Sequence, residues 1–255
     1  MQIFGLATDA ETAAELHCDQ HVTKLATEAA QLLYAHLHHH GIVIEHDGVD
    51  AKGNPLKMYE ETHAHHPACL WLDAGRSNFF WLLELGLCLC ARYHRIYGQP
   101  QPIKPKRRSK KSIDKSDAPD VVEFTAPKFH ATQAHFYAIA RQVKPEWLPT
   151  DCGPDEWIDR LRARGITNEA LLDSCKEKVC TVRPPDGCHF GVACLDKAVQ
   201  RVQGDDALGY DWVATMRNYL GWKSENQPGL ANMKWNKCST PPPALRDHVR
   251  GGEDQ

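Results

Sequence analysis

A stripe of polar side chains follows one side of the chain from residue 17 to residue 31. His17, His21, Lys24, Glu28 and Gln31 are spaced 4, 3, 4 and 3 residues apart, so on an α-helix all five fall within one narrow sector. An amine, a carboxylate and imidazoles on one helix face form a workable nucleophile and acid–base set. The same spacing is also typical of a solvated helix face with exposed ion pairs, and the residues alone leave both interpretations open.

A second group of reactive side chains lies before a predicted helix. The segment Thr62-His63-Ala64-His65-His66-Pro67 places His63 and His66 three residues apart at the helix N-terminus. Two imidazoles at this spacing can bind one metal ion or one anion, and the helix end favours an anion. Zinc would need further ligands, and the sequence contains neither H-E-x-x-H nor paired C-x-x-C motifs. We therefore predict no metal and no cofactor, and we expect this segment to face the stripe across a cleft.

Basic and aromatic residues favour a nucleic-acid partner. The segment from Lys104 to Lys111 holds six positive charges in eight residues, and its predicted phosphate contacts are Lys106, Arg107, Arg108, Lys110 and Lys111. Near the C-terminus an aromatic residue alternates with cations, as in contacts to single strands or flipped bases, and the residues concerned are Lys234, Trp235 and Lys237. The predicted base-stacking or pocket residues are Tyr59, Trp71, Asn78 and Trp81. A charged run is also typical of a solvated linker, and tryptophan is more often a core residue.

Helical periodicity predicts the elements that position these groups. Thr8 or Asp9 can cap a short helix that ends near Leu16. A second helix over residues 19–37 has an apolar face made by Val22, Leu25, Ala26, Ala29, Leu32 and Leu33. A third helix begins at Pro67, breaks near Gly75 and ends near residue 97. Its segment 79–91 is apolar on all sides apart from Glu84, which predicts a central, buried helix with a paired or pKa-shifted carboxylate. Further helices are expected at about 128–143, 154–164, 167–180 (capped by Thr167) and 210–220.

The composition and the helical patterns together predict the fold class and the domain organisation. The chain has 255 residues, of which 42% are hydrophobic and 25% charged, and no alternating strand pattern is evident. The predicted fold class is mostly α: a multi-helix globular domain with a central buried helix and a basic, proline-rich insertion. Residues 1–98 form the helical core, 99–127 a basic, proline-rich loop or linker, and 128–255 a helical remainder packed on the core with a DNA-contacting C-terminal segment.

Charge, hydropathy and cysteine content narrow the expected partners and compartment. The net charge of −3 gives no global signal for nucleic acid, so DNA binding must come from a local patch. No apolar run approaches the roughly 20 residues that cross a bilayer, and the N-terminus lacks a basic signal-peptide region. We therefore expect a cytoplasmic protein without a membrane partner and with its ten cysteines reduced. The spacing of Cys175, Cys180, Cys188, His189 and Cys194 matches no common zinc pattern.

Several of these motifs together resemble a bacteriophage family usually labelled pyrimidine-dimer DNA glycosylase. The resemblance is carried by His17-Cys18-Asp19-Gln20-His21-Val22-Thr23-Lys24, Glu28-Ala29-Ala30-Gln31-Leu32-Leu33, Tyr59, Thr62-His63-x-x-His66-Pro67, Trp71, Asn78, Trp81-Leu82 and Tyr93-x-x-x-Tyr97-Gly98. It covers residues 1–98 and returns near 210–220 and at Met233-Lys234-Trp235-Asn236-Lys237.

The resemblance implies a helical phage enzyme that acts on an extruded pyrimidine base of double-stranded DNA in the host cytoplasm. The implied catalytic residues are Asp19, His21, Lys24, Glu28, His63 and His66. The dimer glycosylases of the family use the α-amine exposed when the initiator methionine is removed, together with a glutamate on an early helix. Here Gln2 would keep Met1 in place, which makes Lys24 the substitute amine and Glu28 the acid–base group.

Two alternatives to a glycosylase, with or without lyase activity, stay open. One is an enzyme that modifies the 5-substituent of a thymine-derived base, and for it the sequence leaves open whether a small-molecule cosubstrate takes part. The other is a non-enzymatic DNA-binding or interaction module, in which the polar stripe is only a surface. Trapping of a covalent amine adduct on DNA would distinguish a Schiff-base enzyme from the binding module.

Overall fold

The computed structural model describes residues 5–49, 53–61, 64–100 and 125–172. Within these ranges the regular structure is helical, which confirms the mostly α fold class. The α-helices are α1 (Ala10–Leu16), α2 (Asp19–His39), α3 (Pro67–Leu70), α4 (Arg76–Tyr97), α5 (Gln133–Gln142) and α6 (Pro154–Ala163). Single 3₁₀ turns cover Trp71–Ala74 and Pro145–Trp147. None of the helices in this part of the chain is long and apolar enough to span a bilayer.

The first helices begin where the sequence predicts them. Asp9 caps α1, because its Oδ1 atom accepts a hydrogen bond of 2.7 Å from the backbone N–H of Thr12. Pro67 occupies the first turn of α3. The predicted break near Gly75 is present, and it allows a close approach between two segments. A Cβ atom on Gly75 would lie 2.5 Å from the Cα atom of Asp151.

Helix α4 lies at the centre of the bundle and contacts α1, α2 and α5. It runs antiparallel to α2, since Phe79 near its start contacts His36 and Tyr97 at its end lies beside Asp19. The predicted central position is therefore correct. The prediction for Glu84 is wrong, because α4 keeps one side open to solvent and Glu84 is exposed there.

A smaller cluster of apolar residues joins α6 to α3. Trp157 is buried in it, and its indole N–H donates a hydrogen bond of 2.9 Å to the carbonyl oxygen of Leu70. Leu161 and Ile166 complete the contact with the α3 segment. This cluster places α6, and Arg164 directly after it, beside the 3₁₀ turn that precedes α4.

Two predicted boundaries differ from the structure. Helix α5 begins five residues later than expected, because His130 folds back: its Nδ1 atom accepts from the N–H of Thr132, and its Nε2 atom donates to the carbonyl of Thr23. The only β-bridge in the described residues pairs Val49 with Pro55. The helical turn at residues 169–172 is capped by Asn168 instead of Thr167. The predicted helix at 210–220 lies outside the described residues.

Candidate functional site

The polar stripe of α2 passes from the core to the surface along the helix. His17 and His21 are buried, with their rings in edge-to-face contact at a centroid distance of 5.8 Å. Lys24, one turn further, has a side chain that is 75% exposed, whereas the side chain of Glu28 is only 12% exposed. The stripe therefore offers an accessible amine beside a largely covered carboxylate.

Lys24 and Glu28 form an ion pair on this accessible part of the stripe. The Lys24 Nζ atom lies 3.1 Å from the Glu28 Oε1 atom. The spacing of four residues allows this contact on a helix, because residues one turn apart are neighbours on its surface. The pair is close enough for direct proton transfer between the ammonium group and the carboxylate.

The buried end of the stripe is held by hydrogen bonds and by burial. The Nδ1 atom of His17 donates to the carbonyl oxygen of Ala13 at 2.5 Å. Burial lowers the pKa of His17 to about 4, with a further contribution from the charge of Arg92. Asp19, in the first turn of α2, is also buried. His17 is therefore neutral near pH 7 and serves as part of the wall behind the accessible pair.

Two segments cover the amino-terminal half of α2 beside this pair. The hydroxyl group of Tyr97 lies 3.4 Å from the carbonyl oxygen of Asp19. The ring of Tyr93 contacts the ring of His130, which is itself bonded to Thr23 of α2. Aromatic and imidazole side chains therefore lie against the first two turns of α2, at the carbonyl oxygens of Asp19 and Thr23.

The basic insertion is attached at the same end of the bundle. The backbone N–H of Lys128 donates to the carbonyl oxygen of Gly98 at 3.2 Å, so the chain leaves and rejoins the bundle at adjacent points. Phe129, which is 59% exposed, stacks on His94 at this junction. The predicted phosphate contacts on the insertion, and those near the C-terminus, lie outside the described residues: Lys106, Arg107, Arg108, Lys110, Lys111, Lys234, Trp235 and Lys237.

The segment that leads to the second histidine group docks on α2. The Nε2 atom of His38 donates to the carbonyl oxygen of Tyr59 at 2.8 Å. His38 follows Gln31 by seven residues and so lies on the same side of the helix, about 10 Å further along. The Nδ1 atom of His66 accepts from the backbone N–H of Ala68 and caps α3. Thr62 and His63 lie outside the described residues.

Tyr59 belongs to a cluster that joins three further segments and that the sequence analysis missed. The Tyr34 hydroxyl group lies 2.8 Å from His46 Nε2 and 3.1 Å from His135 Nδ1, and the Tyr59 ring stacks on His135. Burial lowers the pKa of His135 to about 4 and raises that of Tyr34. Local sequence patterns cannot predict this cluster, because its residues come from four separate parts of the chain: Tyr34, His46, Tyr59 and His135.

Comparisons with known proteins identify no relative of this chain. No family model matches the chain, and no significantly similar curated protein or solved structure was found. The family resemblance therefore rests on the motif residues themselves.

Three of the four predicted base-stacking or pocket residues lie in the core. Trp71 and Trp81 are buried and meet edge to face at 6.2 Å, and the Trp81 indole donates to the Thr8 carbonyl oxygen at 2.8 Å. The Asn78 side chain is buried and donates to the Trp71 carbonyl oxygen at 2.9 Å. These contacts hold the α1 and α3 segments against α4. A base cannot stack on either indole while this packing is intact, so only Tyr59, which is half-buried, keeps the predicted role.

A third polar cluster occupies the carboxyl-terminal end of α2. His36 and His40 are one helical turn apart, and Asp73 approaches both from the 3₁₀ turn before α4. This cluster was not predicted. The spacing His36-x-x-x-His40 is the signal that could have indicated it, because it places both imidazoles on one helix face. Asp73 could not be added from the sequence, since a separate segment brings it there.

Proposed function

We propose that the protein is an enzyme that acts on a pyrimidine base of double-stranded DNA, as a glycosylase with lyase activity. Lys24 is the nucleophilic amine and Glu28 the acid–base group. The observation that carries the proposal is the contact of 3.1 Å between Lys24 Nζ and Glu28 Oε1, in which the amine is exposed and the carboxylate largely covered. The motif resemblance supports the same assignment.

The pair can supply the two proton transfers that this chemistry needs. The Glu28 carboxylate takes a proton from the Lys24 ammonium group, and the free amine attacks C1′ of the sugar. The bond between C1′ and the base breaks, and the departing base is protonated by solvent. The new C1′–Nζ ammonium loses one proton to solvent, which balances the proton that the base takes up. The nitrogen lone pair then forms a protonated imine with C1′ as the bond from C1′ to the ring oxygen breaks, and Glu28 gives its proton to that oxygen. The base must leave the DNA stack before attack, which fits an accessible position for Lys24.

The surroundings of the pair favour DNA as the partner. The basic insertion leaves and rejoins the bundle beside Gly98, and Tyr97 directly before it contacts the first turn of α2. The cations at 104–111 lie between these two points in the sequence, and their proposed role is to neutralise phosphates on either side of the target base. The net charge of −3 makes such a local concentration of positive charge necessary.

Reductive trapping tests this proposal directly. Borohydride reduces an imine between an amine and the sugar to a stable covalent bond, so the adduct can be isolated and its attachment site mapped by mass spectrometry. The substrates are duplexes that carry one abasic site or one pyrimidine dimer, with an undamaged duplex as the control. We expect one protein–DNA adduct that maps to Lys24 and that is lost in Lys24→Ala.

Matched variants give the test its specificity. Lys144→Ala removes another exposed lysine, in the loop after α5, and should leave trapping unchanged. An adduct that maps to Met1 in wild type and persists in Lys24→Ala would move the nucleophile to the N-terminus and contradict the role of Lys24. Binding to these duplexes without any adduct would favour a non-enzymatic module or an enzyme that modifies the base without a Schiff base.

A further inference from the structure

The cluster at the carboxyl-terminal end of α2 brings three potential metal ligands to one point. The ligand atoms of His36, His40 and Asp73 all lie within 4.8 Å of one another. The Asp73 Oδ1 atom is shared, at 3.1 Å from His36 Nδ1 and 3.4 Å from His40 Nε2. The two imidazoles come from one turn of α2, so the helix itself fixes their separation.

The approach of His36 to Asp73 differs from an ordinary hydrogen bond. His36 is fully buried, and among the described residues its Nδ1 atom has no hydrogen-bond partner, although Asp73 Oδ1 is only 3.1 Å away. The distance suits a hydrogen bond, but the alignment does not. A buried imidazole nitrogen that lacks a well-aligned hydrogen bond is costly unless something else binds it.

The separations agree with the edges of a coordination polyhedron. Zinc binds histidine nitrogen and carboxylate oxygen at about 2.0–2.2 Å, so two ligand atoms on a tetrahedral ion are about 3.4 Å apart. The contacts of 3.1 and 3.4 Å to Asp73 match this value. Two of the three separations therefore already fit a tetrahedral ion, and the third is no more than 4.8 Å.

Arg164 holds the carboxylate group of Asp73 in place beside the two imidazoles. Arg164 pairs with Asp73 Oδ2 and also donates to the Ala64 carbonyl oxygen. Arg164 thereby orients the carboxylate and leaves Oδ1 facing the histidines.

We propose that His36, His40 and Asp73 bind one divalent transition-metal ion, with Zn²⁺ the best fit to two imidazoles and one carboxylate. The side chain of His40 is 27% exposed, which leaves a path for the ion and a fourth position for water. The site is separate from the Lys24–Glu28 pair, because His36 lies eight residues, or about 12 Å of helix, beyond Glu28. The proposal does not depend on the proposed glycosylase activity.

The test measures zinc binding by the untagged full-length protein after treatment with a chelator. Titration with ZnCl₂, followed by calorimetry and by elemental analysis of the dialysed protein, should give one tightly bound ion per chain. His40→Ala should weaken binding by more than about 100-fold, since even residues that only orient a ligand commonly change affinity 10- to 100-fold. The matched control is His39→Ala, which removes a neighbouring exposed histidine and should bind zinc as wild type does.

Two further measurements separate a lost site from lost folding and from binding by cysteine. His40→Gln keeps the bulk and polarity of the side chain, and its circular dichroism in chelator should equal that of wild type, so that lost binding is not lost folding. Co²⁺ in place of Zn²⁺ should show no thiolate charge-transfer band. Zinc that stays in His40→Ala but leaves in Cys188→Ser would assign the ion to the cysteines at 175–194 and overturn the proposal. A wild-type protein that binds no zinc would overturn it as well.

Discussion

The contact between α4 and α5 depends on the absence of a side chain at Gly86. A Cβ atom at this position would lie 2.2 Å from Cζ and 2.3 Å from Cε1 of Phe136, whose side chain is fully buried. Ordinary carbon contacts are about 3.5–4.0 Å, so the ring would have to move by more than 1 Å in a packed core. Helix α5 carries His135 and follows His130, so this contact also positions the residues beside α2.

The expected effect of Gly86→Ala is a balance of two opposing contributions. Alanine favours the helix over glycine by about 1 kcal/mol, whereas overpacking a core typically costs about 1–3 kcal/mol. Because the clash is severe and Phe136 is enclosed, we take the upper value and expect a net loss of about 2 kcal/mol in the free energy of unfolding. For a chain of this size, that corresponds to a fall in Tm of about 4–8 °C.

A double-mutant cycle checks the cause of this effect. In a Phe136→Ala background the clash is gone, so Gly86→Ala should stabilise the protein by about 1 kcal/mol, and the sign of its effect should reverse. Denaturant unfolding of the four proteins measures this. Ala91→Gly, at an exposed position of α4, is the control and should cost about 1 kcal/mol in both backgrounds. A Gly86→Ala protein more stable than wild type would refute the packing argument.

Three further predictions concern charge and capping. Since burial holds the pKa of His135 near 4, against about 6.5 when unfolded, the native state resists protonation, and stability should fall as the pH falls from about 7 to 4. The free energy of unfolding should fall by at most about 3 kcal/mol over this range, and by about half of that once solvent screening is included. Denaturation measured at several pH values should show a smaller fall for His135→Asn than for wild type. Asp9→Ala should cost about 1 kcal/mol in thermal unfolding by removing the cap on the Thr12 N–H, and Asp9→Asn should restore most of it. Neutralising the cations at 104–111 should flatten the salt dependence of DNA affinity in a binding titration, and an unchanged slope would make the segment a linker.

Local periodicity predicts much of the helical framework. The apolar face of α2 is buried at each of its six predicted positions, and the cap at Asp9, the start at Pro67 and the break at Gly75 are all present. These features depend on residues within one or two turns of each other. Local patterns do not predict a helix boundary that depends on a contact with a distant segment. Helix α5 begins later than predicted because His130 donates a hydrogen bond to the carbonyl oxygen of Thr23.

In the candidate site, too, local spacing predicts some features, whereas others depend on contacts with distant segments. The spacing of Lys24 and Glu28 predicts that they share a helix face, and the structure pairs them. Exposure was harder to predict, because an apolar run such as 79–91 does not reveal which side of α4 its neighbours leave open to solvent. The grouping of Asp73 with His36 and His40 depends on the docking of the α3 segment, which no single-segment pattern contains.

The proposed role of the Lys24–Glu28 pair is tested most directly by the single-turnover rate of Glu28→Gln on a duplex that gives the trapped adduct. Glutamine keeps the shape of the side chain but cannot exchange the proton. The rate should fall by about 10²–10⁴, or about 3–5 kcal/mol of barrier, with little change in DNA affinity. Glu156→Gln removes the carboxylate of another helical ion pair, Glu156–Arg160, and should keep the full rate. A Glu28→Gln enzyme as fast as wild type would show that the pair is a solvated surface contact and would contradict the proposal.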